Sequence, residues 1–172
     1  ACENDSKMQF DILIKNANIV DTGSGNIIEG QHIGIKKDTI ARIAPYDAAE
    51  NWMGTQTVDA KDKYVIPGLW DMHVHFGGGD TLITENKNLL PLYIANGVTT
   101  VRDCAADISP EVLKWKEQVG MGTLLGPSIL TAGPKLEGKN SIWPGDLEIE
   151  DEPELLRALD SLDKLQVDFV KI

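Results

Sequence analysis

The sequence has few cysteines, few basic residues relative to acidic ones, and no long apolar run. Its two cysteines, Cys2 and Cys104, lie too far apart to suggest a disulfide framework in a chain of 172 residues. Lysine and arginine number 16 against 27 aspartates and glutamates, which gives a formal net charge of −11. A chain this acidic repels phosphate backbones, so nucleic-acid binding is not expected. No run of about 18 apolar residues occurs, so no transmembrane helix is predicted.

Two common catalytic patterns are also missing. The glycines Gly77–Gly79 are not accompanied by the lysine and hydroxyl residue of a phosphate-binding P-loop. No Ser–His–Asp arrangement is found by motif, and Cys104 has no motif partner that would make it a nucleophile. Because Cys104 follows an apolar run, we expect it to be a packed thiol.

The hydrophobic pattern divides the chain into three parts. Residues 1–8 predict a flexible N-terminal tail. Residues 9–66 contain short β-branched and apolar runs joined by turn residues, which predict a small antiparallel β-sandwich unit. Residues 67–172 alternate strand and helix patterns, with strands beginning near 69, 98, 128 and 167. The fold class is therefore α/β with parallel strands, and either a barrel or a doubly wound sheet gives this alternation.

The strongest functional pattern lies at the end of the first of these parallel strands. Alternating side chains of a strand point to opposite faces, so His73 and His75 project together, with Asp71 behind them. Two neutral imidazoles side by side form half of a metal site. Asp71 either supports the histidine pair or has a structural role in the turn that follows Gly68. By contrast, His32 has no acidic or histidine neighbour in the sequence and is expected to be structural.

The string Pro-Gly-Leu-x-Asp-x-His-x-His, residues 67–75, resembles the metal-binding signature of the amidohydrolase superfamily. Residues 97–103 and 126–134 are most similar to its imidazolonepropionase-like and metal-dependent prolidase branch. The resemblance implies a TIM (β/α)8 barrel preceded by the β-sandwich unit. Such a barrel typically needs about 250 residues. Residues 67–172 would therefore form its first four β/α units, incomplete and inactive without the remainder of the barrel from downstream chain.

The resemblance also implies a role for Lys171, at the end of the fourth predicted strand. A buried lysine loses its charge more easily, and a neutral amine reacts with carbon dioxide to give a carbamate. In many amidohydrolases this carbamylated lysine bridges two divalent cations, here expected to be zinc. His73, His75 and Lys171 would then be metal ligands, and the general base is expected beyond Ile172. The alternative is a strand-end lysine whose charge reaches water.

Three further residues are candidates for the surroundings of the site. Arg102 and Asp103 end the second parallel strand, and an ion pair between them is favoured over substrate contact. Trp143 lies in a long loop, residues 133–150, after the third strand. This tryptophan either forms a lid or pocket wall or belongs to a merely packed loop.

The expected activity is metal-dependent hydrolysis of an amide-type C–N bond, with a small-molecule or dipeptide substrate. A single-metal deaminase or a cyclic-amide hydrolase of the same superfamily is the first alternative. The second is a surface lipoprotein that binds metal or ligand without turnover, since Cys2 and the polar run after it resemble a bacterial lipoprotein freed of its signal peptide. Acylated Cys2 would give a lipid anchor and an exported, periplasmic or membrane-anchored protein. An ordinary terminus leaves a cytoplasmic protein, and homo-oligomer formation stays open.

Overall fold

A computed structural model describes residues 7–172, and contacts divide the chain into two compact units at Pro67–Gly68. Cys2, the residue expected to carry lipid, lies outside the described residues. Within the described part, no helix has both the length and the apolar character that crossing a membrane requires.

The first unit is a five-stranded mixed sheet. Its strands are β1 (Met8–Val20), β2 (Ile27–Lys36), β3 (Thr39–Pro45), β4 (Trp52–Asp59) and β5 (Tyr64–Val65). The strand order is β3-β2-β1-β4, and β5 also pairs with β1. Strands β1, β2 and β3 pair antiparallel, whereas β4 and β5 both run parallel to β1.

The expectation of an antiparallel β-sandwich was therefore wrong in strand direction and in the number of sheets. Period-two alternation shows which side chains share a face, but it does not show which way a neighbouring strand runs. A 3-10 turn at Tyr46–Ala48 precedes β4, and the Met8 N–H donates to the Asn51 carbonyl at 3.2 Å. Strand β4 therefore begins beside the start of β1 and runs in the same direction.

His32 lies inside this first unit, as expected for a structural residue. It is 2% exposed, and its ring meets the ring of Tyr46 edge-on at a centroid distance of 5.5 Å. Burial lowers the pKa of His32, and the positive charge of Lys15 lowers it further. His32 is therefore a buried, neutral imidazole that packs against an aromatic ring and has a structural role in this unit.

The second unit alternates strands and helices. Its elements are β6 (Leu69–Val74), α1 (Ile83–Ala95), β7 (Val98–Asp103), α2 (Ser109–Gly120), β8 (Ser128–Thr131), β9 (Leu136–Gly138), β10 (Leu147–Ile149) and α3 (Glu152–Leu165). Strands β6, β7 and β8 form a parallel sheet in that order. The predicted α/β class and the first three parallel strands are confirmed. A core of buried side chains, Phe76, Leu90, Val101 and Trp115 among them, packs the helices against the sheet.

Local signals set the ends of the helices. The chain leaves α1 through Gly97, whose φ of 79° suits glycine better than any other residue. Helix α3 begins after Asp151, whose carboxylate accepts the N–H of Glu154 at 2.8 Å. Leu162 is buried on the inner face of α3 against Leu136.

Two predictions about the later part of this unit were wrong. The loop of residues 133–150 contains β9 and β10, which pair in parallel with each other. Residues 167–172 form no strand, although they lie beside β8, where the Asp168 N–H donates to the Thr131 carbonyl at 2.9 Å. The Thr131 N–H donates to the carboxylate of Asp168 at 2.8 Å, so a side chain takes the bond that a main-chain carbonyl takes in a regular ladder.

Candidate active site

The second unit contains a cavity of about 570 Å³ at the carboxyl ends of β6 and β7. Of the residues singled out in the sequence, His73, His75, Trp143 and Lys171 line this cavity. Asp71, Arg102 and Asp103 do not line it. Parallel strands end at one edge of their sheet, which is why residues from distant parts of the chain meet there.

The two histidine rings lie side by side in the wall of the cavity, tilted by 48° with their centroids 5.0 Å apart. Their Nε2 atoms are 3.1 Å apart, and His75 Nδ1 lies 3.1 Å from the Ala105 carbonyl oxygen. Because a carbonyl only accepts, His75 Nδ1 carries the proton, which leaves Nε2 of a neutral ring as an acceptor, either for the Nε2–H of His73 or for a cation. Two nitrogens that bind one tetrahedral zinc at about 2.0–2.1 Å lie about 3.4 Å apart. The pair thus has the donor atoms and nearly the spacing of two ligands to one cation.

The other ligands of such a cation are not supplied by the same residue types. Within residues 7–172, no three histidine, cysteine, aspartate or glutamate side chains converge on a common point. Lysine is outside that set, and Lys171 borders the same cavity as the histidine pair. The bridging role of Lys171 therefore stays a prediction.

The segment that carries Lys171 is tied to its surroundings on several sides. The carboxylate of Asp168 accepts two hydrogen bonds from the ammonium of Lys116, at 2.7 and 2.8 Å. The guanidinium of Arg102 stacks on the ring of Phe169 at 4.3 Å. The carbonyl of Lys171 accepts the N–H of Leu136 at 2.9 Å.

The predicted ion pair between Arg102 and Asp103 was wrong. Consecutive strand residues point to opposite faces, so Arg102 reaches Phe169 while Asp103 turns into the core and is fully buried. The Asp103 carboxylate accepts hydrogen bonds from Thr131 Oγ1 at 2.6 Å and from the Phe76 N–H at 3.2 Å. Burial raises the pKa of Asp103, and the hydrogen bond from Thr131 partly offsets this.

Asp71 contacts the histidine segment through its backbone. Its Oδ1 accepts the N–H of His73 at 3.2 Å. This bond fixes the main chain directly before the histidine pair, and it does not involve the imidazole rings.

Asp107 is a cavity residue that sequence reasoning missed. Its Oδ2 accepts the N–H groups of Gly78 and Gly79 at 3.2 and 3.0 Å, and its Oδ1 is buried with no partner among the described residues. A Cβ at Gly77 would lie 2.5 Å from this Oδ1. Gly78 and Gly79 have φ of 96° and 79°, so three glycines allow the loop to close around one carboxylate. The three consecutive glycines were the sequence signal for this contact, because their backbone N–H groups are not covered by side chains and need a hydrogen-bond acceptor.

Lys135 is a second missed residue of the cavity. Its ammonium lies 2.6 Å from Glu137 Oε1, 3.6 Å from Asp146 Oδ2 and 5.5 Å from the centre of the Trp143 ring. The hydrogen bond to Glu137 is the largest cause of the raised pKa of Lys135. The lysine, the tryptophan and Pro144 form the wall that the loop after β8 contributes.

Comparisons with known proteins identify relatives in both sequence and fold. No family model matches the chain. An adenine deaminase of Listeria welshimeri is 37% identical over 98 residues, which are 57% of this chain and 15% of that protein. A 5-methylthioadenosine/S-adenosylhomocysteine deaminase of Acetivibrio thermocellus is 34% identical over 121 residues, or 68% of this chain and 26% of that protein. The chain thus spans about a quarter or less of these relatives.

Two solved structures share the fold over nearly the whole chain. A putative prolidase from Bifidobacterium longum has a TM-score of 0.77 at 23% identity, covering 91% of this chain and 39% of its own. A Xaa-Pro dipeptidase with methionine bound in its active site has a TM-score of 0.74 at 19% identity, covering 92% and 46%. The two histidines at the end of a parallel strand, the deaminase relatives and this shared fold together show that the chain belongs to the amidohydrolase superfamily.

Proposed function

We propose that the protein carrying this chain hydrolyses an amide-type C–N bond of a small molecule, with small dipeptides as the first candidate substrates. The observation that carries the proposal is the histidine pair, His73 and His75, with its Nε2 atoms 3.1 Å apart at a cavity of the right size for a small ligand. The fold likeness to prolidases supports the substrate class.

Divalent cations are part of this proposal, and zinc is the expected metal. His73 and His75 would hold one cation, and carbamylated Lys171 would bridge it to a second. When bound, such cations lower the pKa of water and polarise a substrate carbonyl. The chain's own contribution is orientation: the Ala105 carbonyl fixes the tautomer of His75, and Asp71 fixes the backbone at His73.

We further propose that the second unit is the first part of a TIM barrel. Three parallel strands connected by helices, with the histidines at the carboxyl end of the first, support this architecture. Residues 167–172 would take the fourth position, since Asp168 bonds to the outer side of β8.

A deaminase is the second candidate, because the relatives in sequence are adenine and 5-methylthioadenosine/S-adenosylhomocysteine deaminases. A one-metal deaminase does not need a bridging carbamate, so Lys171 separates the two candidates.

A non-catalytic surface lipoprotein is a third candidate. Acyl chains on Cys2, measured by mass spectrometry of the native protein, would support export with a lipid anchor. An unmodified Cys2 thiol would contradict the lipid anchor.

The test is Lys171→Ala in the intact protein, with metal content, hydrolysis of Xaa-Pro dipeptides and ammonia release from adenine measured in parallel. We expect metal content to fall from two cations to one or none, dipeptide hydrolysis to be lost, and short carboxylic acids to restore part of both. The control is Lys139→Ala, an exposed lysine that pairs with Glu150 at 2.7 Å. Unchanged metal stoichiometry in Lys171→Ala would contradict the bridge, and ammonia release with one metal would favour the deaminase.

A further inference from the structure

We propose that Lys135 binds a carboxylate of the substrate, so that the site selects small peptides or N-acyl amino acids with a free C-terminal carboxylate. This inference rests on the proposed hydrolytic function and adds the chemical group by which the substrate is recognised. Adenine has no carboxylate, whereas S-adenosylhomocysteine carries one, so the inference separates the peptidase from an adenine deaminase.

Lys135 has more hydrogen-bond donors than its neighbours use. An ammonium group has three N–H donors and no acceptor. One N–H donates to Glu137 Oε1 at 2.6 Å, and the ammonium also forms a longer ion pair with Asp146, whose nearest oxygen lies at 3.6 Å, beyond hydrogen-bond distance. Within residues 7–172 no other acceptor satisfies the ammonium. Two donors of a cavity-lining cation are therefore available to a ligand.

Lys135 is also largely buried. The side chain of Lys135 is 12% exposed, and the neighbouring wall is formed by Trp143 and Pro144. Donors placed in such surroundings need partners, because water reaches them poorly and an unmet charged donor is costly. A carboxylate supplies two oxygens to one ammonium and would satisfy both remaining donors.

Lys135 carries a positive charge between two carboxylate neighbours, Glu137 and Asp146. The hydrogen bond to Glu137 keeps the lysine protonated. The same oxygen of Asp146 that lies 3.6 Å from the ammonium accepts a hydrogen bond from the hydroxyl of Ser141 at 2.6 Å, which fixes the position of this carboxylate. Glu137 is 38% exposed, and solvent screens its charge. The two carboxylates thus hold the ammonium in position while its free side faces the cavity.

The experiment compares two substrates of the intact, metal-loaded protein, alanyl-proline and alanyl-proline amide. For Lys135→Met we expect kcat/KM for the free acid to fall about 10- to 100-fold more than for the amide, mostly through KM, with metal content unchanged. Lys135→Arg keeps the charge and should retain part of the preference. Lys139→Met, a change at an exposed lysine outside the cavity, should leave both substrates unaffected.

A binding measurement keeps the inference separate from the proposed function. N-acetylproline and its amide are titrated calorimetrically into wild-type protein and Lys135→Met. Wild-type protein should bind the acid more tightly than the amide, and the variant should lose that difference. If wild-type protein cleaves neither dipeptide but shows this preference, the hydrolytic proposal fails and the carboxylate site stands. Equal binding of acid and amide by wild-type protein, or an equal loss of turnover on both dipeptides in Lys135→Met, overturns the role of Lys135.

Discussion

Thr131→Val should destabilise the protein by about 2.5 to 4 kcal/mol, although the two side chains have nearly the same shape. Thr131 Oγ1 donates to Asp103 Oδ2 at 2.6 Å and accepts the N–H of Gly133 at 3.0 Å. Both Thr131 and Asp103 are 0% exposed, so water does not replace either bond. A bond to a buried charge contributes about 1.5 to 3 kcal/mol, and the lost acceptor for Gly133 adds about 1 kcal/mol.

The penalty should depend on pH in a defined direction. Burial raises the pKa of Asp103 above the value of 3.8 that it has in an unfolded chain, so the folded protein holds this proton to higher pH than the unfolded chain does. Stability associated with this group is therefore lost as pH rises from 3.8 through the raised folded pKa. Thr131→Val removes a bond that favours the charged carboxylate, so its penalty should be larger at pH 7 than in mild acid.

The assay is urea unfolding of the intact protein at two pH values, with Thr131→Ser as the control. Serine keeps the hydroxyl and loses one methyl group, which costs about 1 kcal/mol in a packed interior. If Thr131→Val costs no more than Thr131→Ser, the buried hydrogen bond does not have the energetic role argued for it.

Two further predictions concern other parts of the chain. The unfolding free energy of the wild-type protein should fall as the pH drops below 6.5, because the pKa of His32 is lowered in the folded protein and the unfolded chain takes up the proton first. This fall should be smaller in His32→Gln. Identical pH dependence in urea titrations of the two proteins would refute this. Gly77→Ala should cost about 1 to 3 kcal/mol, because its Cβ would displace the carboxylate of Asp107. At Gly120 an added Cβ would meet no neighbouring group within 4 Å, so Gly120→Ala should instead stabilise the protein by about 0.4 to 1 kcal/mol, measured by thermal unfolding.

Local periodicity was sufficient for the histidine pair and for the strand–helix alternation. The alternation of a strand places His73 and His75 on one face whatever the rest of the fold does, and the structure has their rings 3.1 Å apart at Nε2. Helix α1 ends just before Gly97, and the signal for this end is a single glycine at the helix terminus. Such features depend on a few neighbouring residues.

Features that depend on distant partners could not be predicted in this way. Strand β4 runs parallel to β1 because its first residue, Trp52, pairs with Met8 at the start of β1. The alternation of apolar and polar residues along β4 does not show at which end of β1 the pairing begins. Asp107 holds glycines 28 and 29 residues earlier, and only the folded sheet brings them together. Lys135 lies in a stretch of sequence with no motif, and its role depends on a cavity that it shares with His73, 62 residues earlier in the chain.

The missing fourth strand shows how a side chain alters a pattern that is otherwise correct. Residues 167–172 are apolar enough for a buried strand, and they lie beside β8 as predicted. Asp168 is an exception within that run, because its carboxylate bonds to Lys116 and to the N–H of Thr131. Regular pairing stops at that point, since a side chain has replaced the main chain as acceptor.

These contacts also explain how two separate parts of the candidate site are kept in register. The Phe76 N–H, directly after the histidine pair, donates to Asp103; Thr131 donates to the same carboxylate through its hydroxyl and to Asp168 through its N–H. Asp168 lies three residues before Lys171. The segment with the histidines and the segment with the lysine are therefore connected through two carboxylates and one threonine, across the carboxyl ends of neighbouring strands. Each link is a hydrogen bond to a carboxylate, so the strand ends are fixed more rigidly than the packing of apolar side chains alone would fix them.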